Sequence, residues 1–176
     1  MAKTLTAEDA RQSLTAHVES KGIEVFMKFG PIIGWTELQR LLADRIYVRY
    51  PCEIVFDATS LLPGEFGHPV QKGERPEDGF TMAIHPLFES QRDAVPALVL
   101  YQLVAVNYGD FASSEEAETF GAAALGLTRD EYYDLLCEAA DQVGAPGPTD
   151  ILGIPLVHEH VGGGCGGGGG CSCGEN

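Results

Sequence analysis

A glycine ribbon carrying three cysteines, GGGCGGGGGCSCGEN over residues 162–176, limits where this chain can place a packed core. Glycine has no side chain to bury and loses the most backbone freedom on ordering, so such a segment cannot build a hydrophobic interior. A second boundary precedes it. APGPTDILGIPL, after Gly144, reads as a Pro/Gly linker. The expected organisation is an α+β domain over 1–144, a linker over 145–157 and a His/Cys/Gly-rich tail over 158–176. One domain of that length is large enough to bury a core.

Composition excludes some partners. The 176 residues carry 26 Asp and Glu against 11 Lys and Arg, a formal charge of −15, and 44% are hydrophobic. Nucleic acid and anionic membrane surfaces are selected against, because both require a basic face. MAKTLTAEDARQSL contains no apolar stretch of the kind that marks a secretory signal. The longest apolar run, Ala94 to Val106, is too short for a membrane span of ~20 residues. A cytoplasmic protein with reduced thiols is expected, and five cysteines would leave one over in any intrachain disulfide scheme.

Caps and periodicity predict the elements. Thr6 with Asp9 opens a helix to about Ser20, with Ala10, Leu14 and Val18 on one face. Ile23 to Phe29 reads as a strand ended by Gly30-Pro31. Thr36 with Gln39 caps a helix to about Ile46, and Tyr47–Tyr50 and Cys52–Phe56 are β-rich on either side of Pro51. Residues 57–79 form a long connection, followed by a strand over Phe80–Ile84. Asp93 caps an apolar helix through Val106, hydrophobic nearly all round and therefore central, with Gln102 as a hydrogen-bonded core amide. Ser113 with Glu116 and Thr128 with Glu131 cap two further helices. Strands early and helices late give an α+β fold, a small mixed sheet packed by about five helices, with a flexible C-terminal tail.

The chemistry concentrates in the tail. His158, His160, Cys165, Cys171 and Cys173 are all metal-ligand side chains, and zinc in a closed site takes four of that kind. Their spacing matches no zinc finger of paired knuckles. Zinc is the leading ion, with nickel or an iron–sulfur cluster as alternatives; a four-thiolate cluster would borrow Cys52 or Cys137 from the body. Ordering ~15 such residues costs roughly 15–30 kcal/mol. Structural zinc returns about 10–16 kcal/mol. A single ion would not freeze the ribbon, which would either sample metal transiently or dock on the body.

Cys171-Ser172-Cys173 resembles the C-x-x-C-S-C claw of nitrile hydratases, in which three thiolates and two backbone amides hold cobalt or iron. Here the upstream cysteine stands six residues before the triplet instead of three. In composition the tail resembles the His/Cys-rich ends of nickel-handling chaperones. It also resembles the cores of microcin-like precursors, where Cys and Ser are cyclised onto the backbone as thiazoles and oxazoles.

The body offers weaker candidates. His68 and His85 each precede a proline and, with Glu65, Asp57 and Cys52, could complete a docking site for a tail-bound metal. Cys52 and Cys137 in apolar patterns read as small core residues, and the acidic start at Glu115, Glu116 and Glu118 suits the helix dipole. No H-E-x-x-H, G-x-S-x-G or P-loop is present. The reading is a metal-binding accessory or metal-delivery protein, or a small metalloenzyme subunit, whose partner is a metalloprotein client or assembly. Two alternatives remain: a precursor whose Cys/Ser tail is enzymatically cyclised, and an enzyme that uses the tail in its own active site.

Overall fold

The computed structural model describes residues 7–144, with side chains from Ala10 onward. The linker 145–157 and the tail 158–176 lie outside the described residues. The architecture is the α+β one expected: five helices around a three-stranded mixed sheet. In chain order these are α1 (Ala7–Phe29), α2 (Trp35–Ala43), β1 (Cys52–Phe56), β2 (Gly67–Gln71), β3 (Phe80–Ile84), α3 (Val95–Tyr108), α4 (Ser114–Leu125) and α5 (Arg129–Gln142). Short 3-10 turns lie at Pro76–Asp78, Pro86–Glu89 and Gly109–Phe111. No helix among the described residues is long and apolar enough to cross a membrane.

β3 is central in the sheet, parallel to β1 and antiparallel to β2. Cys52, Ile54 and Phe56 are half-buried and alternate with exposed Glu53 and Val55, so β1 turns one face to the helices. β2 and β3 pack against α3. As its composition requires, α3 is buried almost throughout, from Val95 to Asn107. Gln102 is the satisfied core amide expected, its Nε2 donating to the Gly67 carbonyl at 2.8 Å.

Several elements differ from the sequence reading. Ile23–Phe29 is not a strand; it continues α1 without a break. Val18, Gly22, Val25 and Phe29 are buried, at steps of four, three and four, which is the helical period. Ile23 and Met27, which made the segment look alternating, are 50% and 78% exposed. Burying three apolar side chains on one helical face contributes about 1.5–3 kcal/mol each. The whole β-propensity scale spans only ~1 kcal/mol. Packing therefore wins.

α2 starts two residues earlier than predicted and ends at Ala43. Glu37, not Gln39, reaches back to the N-cap, its Oε2 accepting from the Gly34 N–H at 3.2 Å. Tyr47–Tyr50 forms no strand: the Tyr47 and Val48 N–H groups donate to the Asp44 carbonyl, and a side chain takes two more backbone groups. Asn107 Oδ1 accepts from the Arg49 N–H and Asn107 Nδ2 donates to the Tyr47 carbonyl, each at 2.8 Å. The 57–79 connection contains β2, hidden in sequence by Gly67 and Pro69. Proline is tolerated there because β2 is an edge strand. α3 has no Asp93 cap; Ala94 is its N-cap and Pro96 lies in the first turn.

The last two caps match expectation. Ser113 and Thr128 both form capping boxes, with Glu116 and Glu131. Glu116 does more than cap. Its side chain is buried (1% exposed) and also accepts from Thr15 Oγ1 at 2.7 Å, linking α4 to α1. Burial alone would raise its carboxyl, but hydrogen bonds from Ser113 and Thr15 hold it below the ordinary glutamate value. Glu118, also buried, accepts from Arg129 Nη2 at 2.8 Å. The helices approach closely where glycine permits. A Cβ on Gly22 of α1 would come within 2.6 Å of the Phe120 carbonyl, and one on Gly121 would overlap the Tyr132 ring. Tyr132 is fully buried, and its hydroxyl donates to the Ala97 carbonyl at 2.6 Å.

Two outcomes are expected. Gly121→Ala should lower stability by about 1–3 kcal/mol through overpacking against Tyr132, read by thermal unfolding. A depressed carboxyl stabilises fully above its unfolded value of about 4.3 and loses that contribution as pH falls through the lower native one. Glu116→Gln should therefore be less stable than the parent by about 1–3 kcal/mol at pH 7, with the gap closing at pH 3 in urea unfolding.

Candidate functional site

His158, His160, Cys165, Cys171 and Cys173 lie outside the described residues. The body residues named beside them can be placed, and Asp57, Glu65 and His85 are each engaged within their own turn. Asp57 Oδ1 accepts from the Thr59 N–H at 3.0 Å and from its hydroxyl, which hold the carboxyl below its usual range. Glu65 Oε2 accepts from the Leu62 N–H at 2.8 Å. His85 caps the turn that follows β3, its Nδ1 accepting from the Leu87 N–H at 3.3 Å. His68 sits on edge strand β2 opposite Ala83. Among the described residues no three His, Cys, Asp or Glu side chains are grouped to hold a metal ion. His68, His85, Glu65, Asp57 and Cys52 thus form no such group of three by themselves. These residues are close in sequence, but hydrogen bonds within their own turns fix three of them.

The two body thiols occupy unreactive settings. Cys52 lies on the helix-facing side of β1, and burial pushes its thiol up to about 11, against the pull of Lys72. Burial also raises Cys137 on α5, with an opposing hydrogen bond from Tyr133. Metal ligation and nucleophilic attack both need thiolate. Each thiol therefore yields its proton to an incoming metal less readily than an exposed cysteine does.

The sequence reading missed a concave basic surface. A cavity of about 250 Å³ lies between α1, the segment after α2 and the C-terminal end of α3. Lys21, Arg45 and Arg49 line it, together with His17, Tyr47 and Tyr108, and no Asp or Glu is among its described lining residues. His17 meets the Tyr108 ring edge-on at 5.9 Å. Burial pushes the Tyr108 hydroxyl up, against the pull of Lys21 and Arg49, so it remains a proton donor at neutral pH. A neighbouring cavity of about 500 Å³ shares Arg49, Asn107 and Tyr108 and adds Tyr50, Phe80, His68 and Asp110. The sequence signal was Arg45-Ile-Tyr-Val-Arg49-Tyr, where base and aromatic recur. The excess of acid over the whole chain concealed it.

The Cys52 geometry has a measurable consequence. A thiol raised from 9.0 to about 11 should react roughly 100-fold more slowly at pH 8 than the same residue in urea. Iodoacetamide labelling with peptide mapping checks this, and equal rates would show that β1 does not bury the thiol. Comparison of the chain with protein-family models, curated proteins and solved structures finds no match in any of the three.

Proposed function

We propose that this protein is a metal-binding accessory or metal-delivery protein, or a small metalloenzyme subunit, whose ion is held by the C-terminal His/Cys tail. The observation that carries this reading is the concentration of ligand side chains: His158, His160, Cys165, Cys171 and Cys173 fall within sixteen positions of a glycine ribbon. The body supports it from the other side. Its two thiols are held in the protonated form by burial, and its His85 imidazole is engaged by backbone, so the soft donors are those of the tail. Zinc is the ion that best fits a mixed Cys/His set, and nickel shares the same donors. Cys171 and Cys173 act as a thiolate pair, with His158 and His160 completing a tetrahedral site. Delivery requires that metal leave as well as bind, and the ordering cost of glycine weakens the closed site toward exchange. The partner is a metalloprotein client, and the compartment is the cytoplasm, where thiols stay reduced.

The test is the intact mass of the full chain from its native cells, measured native and then in acid. Added mass that is lost in acid, together with tail thiols that become alkylatable only afterwards, is the expected result. With zinc alone as the probe, a Cys171→Ser, Cys173→Ser double variant should bind at least tenfold more weakly, since a thiolate pair dominates such a site. Loss of water and hydrogen localised to the tail would overturn the reading in favour of a cyclised peptide precursor. An unmodified chain that binds no zinc would overturn both.

A further inference from the structure

We propose that the two neighbouring cavities that share Arg49, Asn107 and Tyr108 bind a small phosphate monoester with an aromatic body, independently of any metal on the tail. The first argument is the segregation of charge. The chain has 26 acids and 11 bases, yet three of those bases, Lys21, Arg45 and Arg49, line one concavity of about 250 Å³ with no carboxylate among the described residues that line it. Like charges gathered in a hollow repel one another, and an anion between them relieves that repulsion. Low-dielectric walls focus the field at such a place.

The second argument is that most of this charge is unspent. Arg49 makes no ion pair among the described residues; its guanidinium lies over the Tyr50 ring at 5.4 Å. Arg45 donates one long bond, 3.4 Å, to the Val48 carbonyl. Lys21 alone is paired, with Glu24 at 2.8 Å, which leaves the two guanidiniums as the principal anion donors. Two guanidinium forks match the oxygens of a phosphate, and Tyr108 adds a hydroxyl donor. A doubly charged phosphate monoester answers this set better than a single carboxylate does.

The third argument fixes the rest of the ligand and its direction. The larger cavity, about 500 Å³, lies within the ~300–1,000 Å³ range of small-molecule sites. Tyr50 and Phe80 line it, their rings tilted at 44° with centroids 6.0 Å apart, and supply aromatic wall for a ring to pack against. Asp110 also lines it and repels an anion from that end. The phosphate therefore enters the smaller, basic cavity and the ring lies in the larger one, with Arg49 between them. A long polyanion is disfavoured, because the acidic remainder of the surface would oppose all but its bound phosphate.

The experiment is an amide-NMR titration of the full chain with phenyl phosphate, inorganic phosphate and benzoate in parallel, at low salt. Saturable binding of phenyl phosphate is expected, perturbing Arg49, Asn107 and Tyr108, tighter than either of the other two. Arg49→Gln, at an exposed side chain without an ion pair among the described residues, should keep the fold and weaken binding about tenfold or more. Arg45→Gln gives a second reading should the first variant unfold. Absent saturation, shifts that map elsewhere, or two variants that bind like the parent would overturn the site. Benzoate binding as well as phenyl phosphate would overturn the phosphate assignment, inorganic phosphate binding as well would overturn the aromatic one, and a short oligonucleotide binding more tightly than phenyl phosphate would overturn the small-molecule class.

Discussion

α3 has almost no side that tolerates water, and the rest of the body is arranged to cover it. Val95 to Asn107 are buried with few breaks, so β2, β3, α2, α4 and α5 all pack against it. A helix of this kind supplies hydrophobic contact in every direction but no direction of its own. Its two buried amides supply that. Gln102 takes the Gly67 carbonyl and so sets the level of β2, and Asn107 takes the Tyr47 carbonyl and the Arg49 N–H. Each is a polar group that would be costly to bury unpaired, so a single docking of each segment satisfies it.

That docking connects the core to the basic cavity. Because Asn107 captures the backbone of Tyr47 and Arg49, this segment runs beside α3 instead of joining the sheet. The Arg45 and Arg49 side chains then come to the same hollow as Lys21 and His17 of α1. Aromatic rings sit among the charges: Lys21 and Lys28 both lie over Tyr47, and Arg49 lies over Tyr50. Lys21 and Lys28 are also paired with Glu24 and Asp44, so of these three cations Arg49 is the one held by a ring without a carboxylate among the described residues. A basic hollow can thus persist in a strongly acidic protein.

The buried acids of the second half show the opposite treatment of charge. Glu116 and Glu118 lie beneath the surface of α4, where an unpaired carboxylate would be prohibitive. Glu116 closes a capping box and receives Thr15 across the α1–α4 contact, while Glu118 receives Arg129 of α5. One charged turn thereby ties three helices together, next to the glycines that let them approach. Among the described residues every buried side-chain nitrogen and oxygen has a partner.

Sequence by itself determined the features that depend on neighbours along the chain. The capping boxes at Ser113 and Thr128 are local hydrogen bonds, the burial of α3 follows from its lack of any polar face, and β3 is bounded by Gly79 and His85-Pro86. The ligand content of the tail is also a property of sequence alone. Tertiary structure decided what depends on distant partners. Ile23–Phe29 is helical because α4 packs along α1, with Gly22 against the Phe120 backbone, and GHPVQ is a strand because β3 offers an edge that tolerates Pro69. Tyr47–Tyr50 is no strand because Asn107, some 60 residues away, occupies its backbone. The basic cavity is legible only in the fold, since its residues come from four separate segments of a chain whose total charge points the other way.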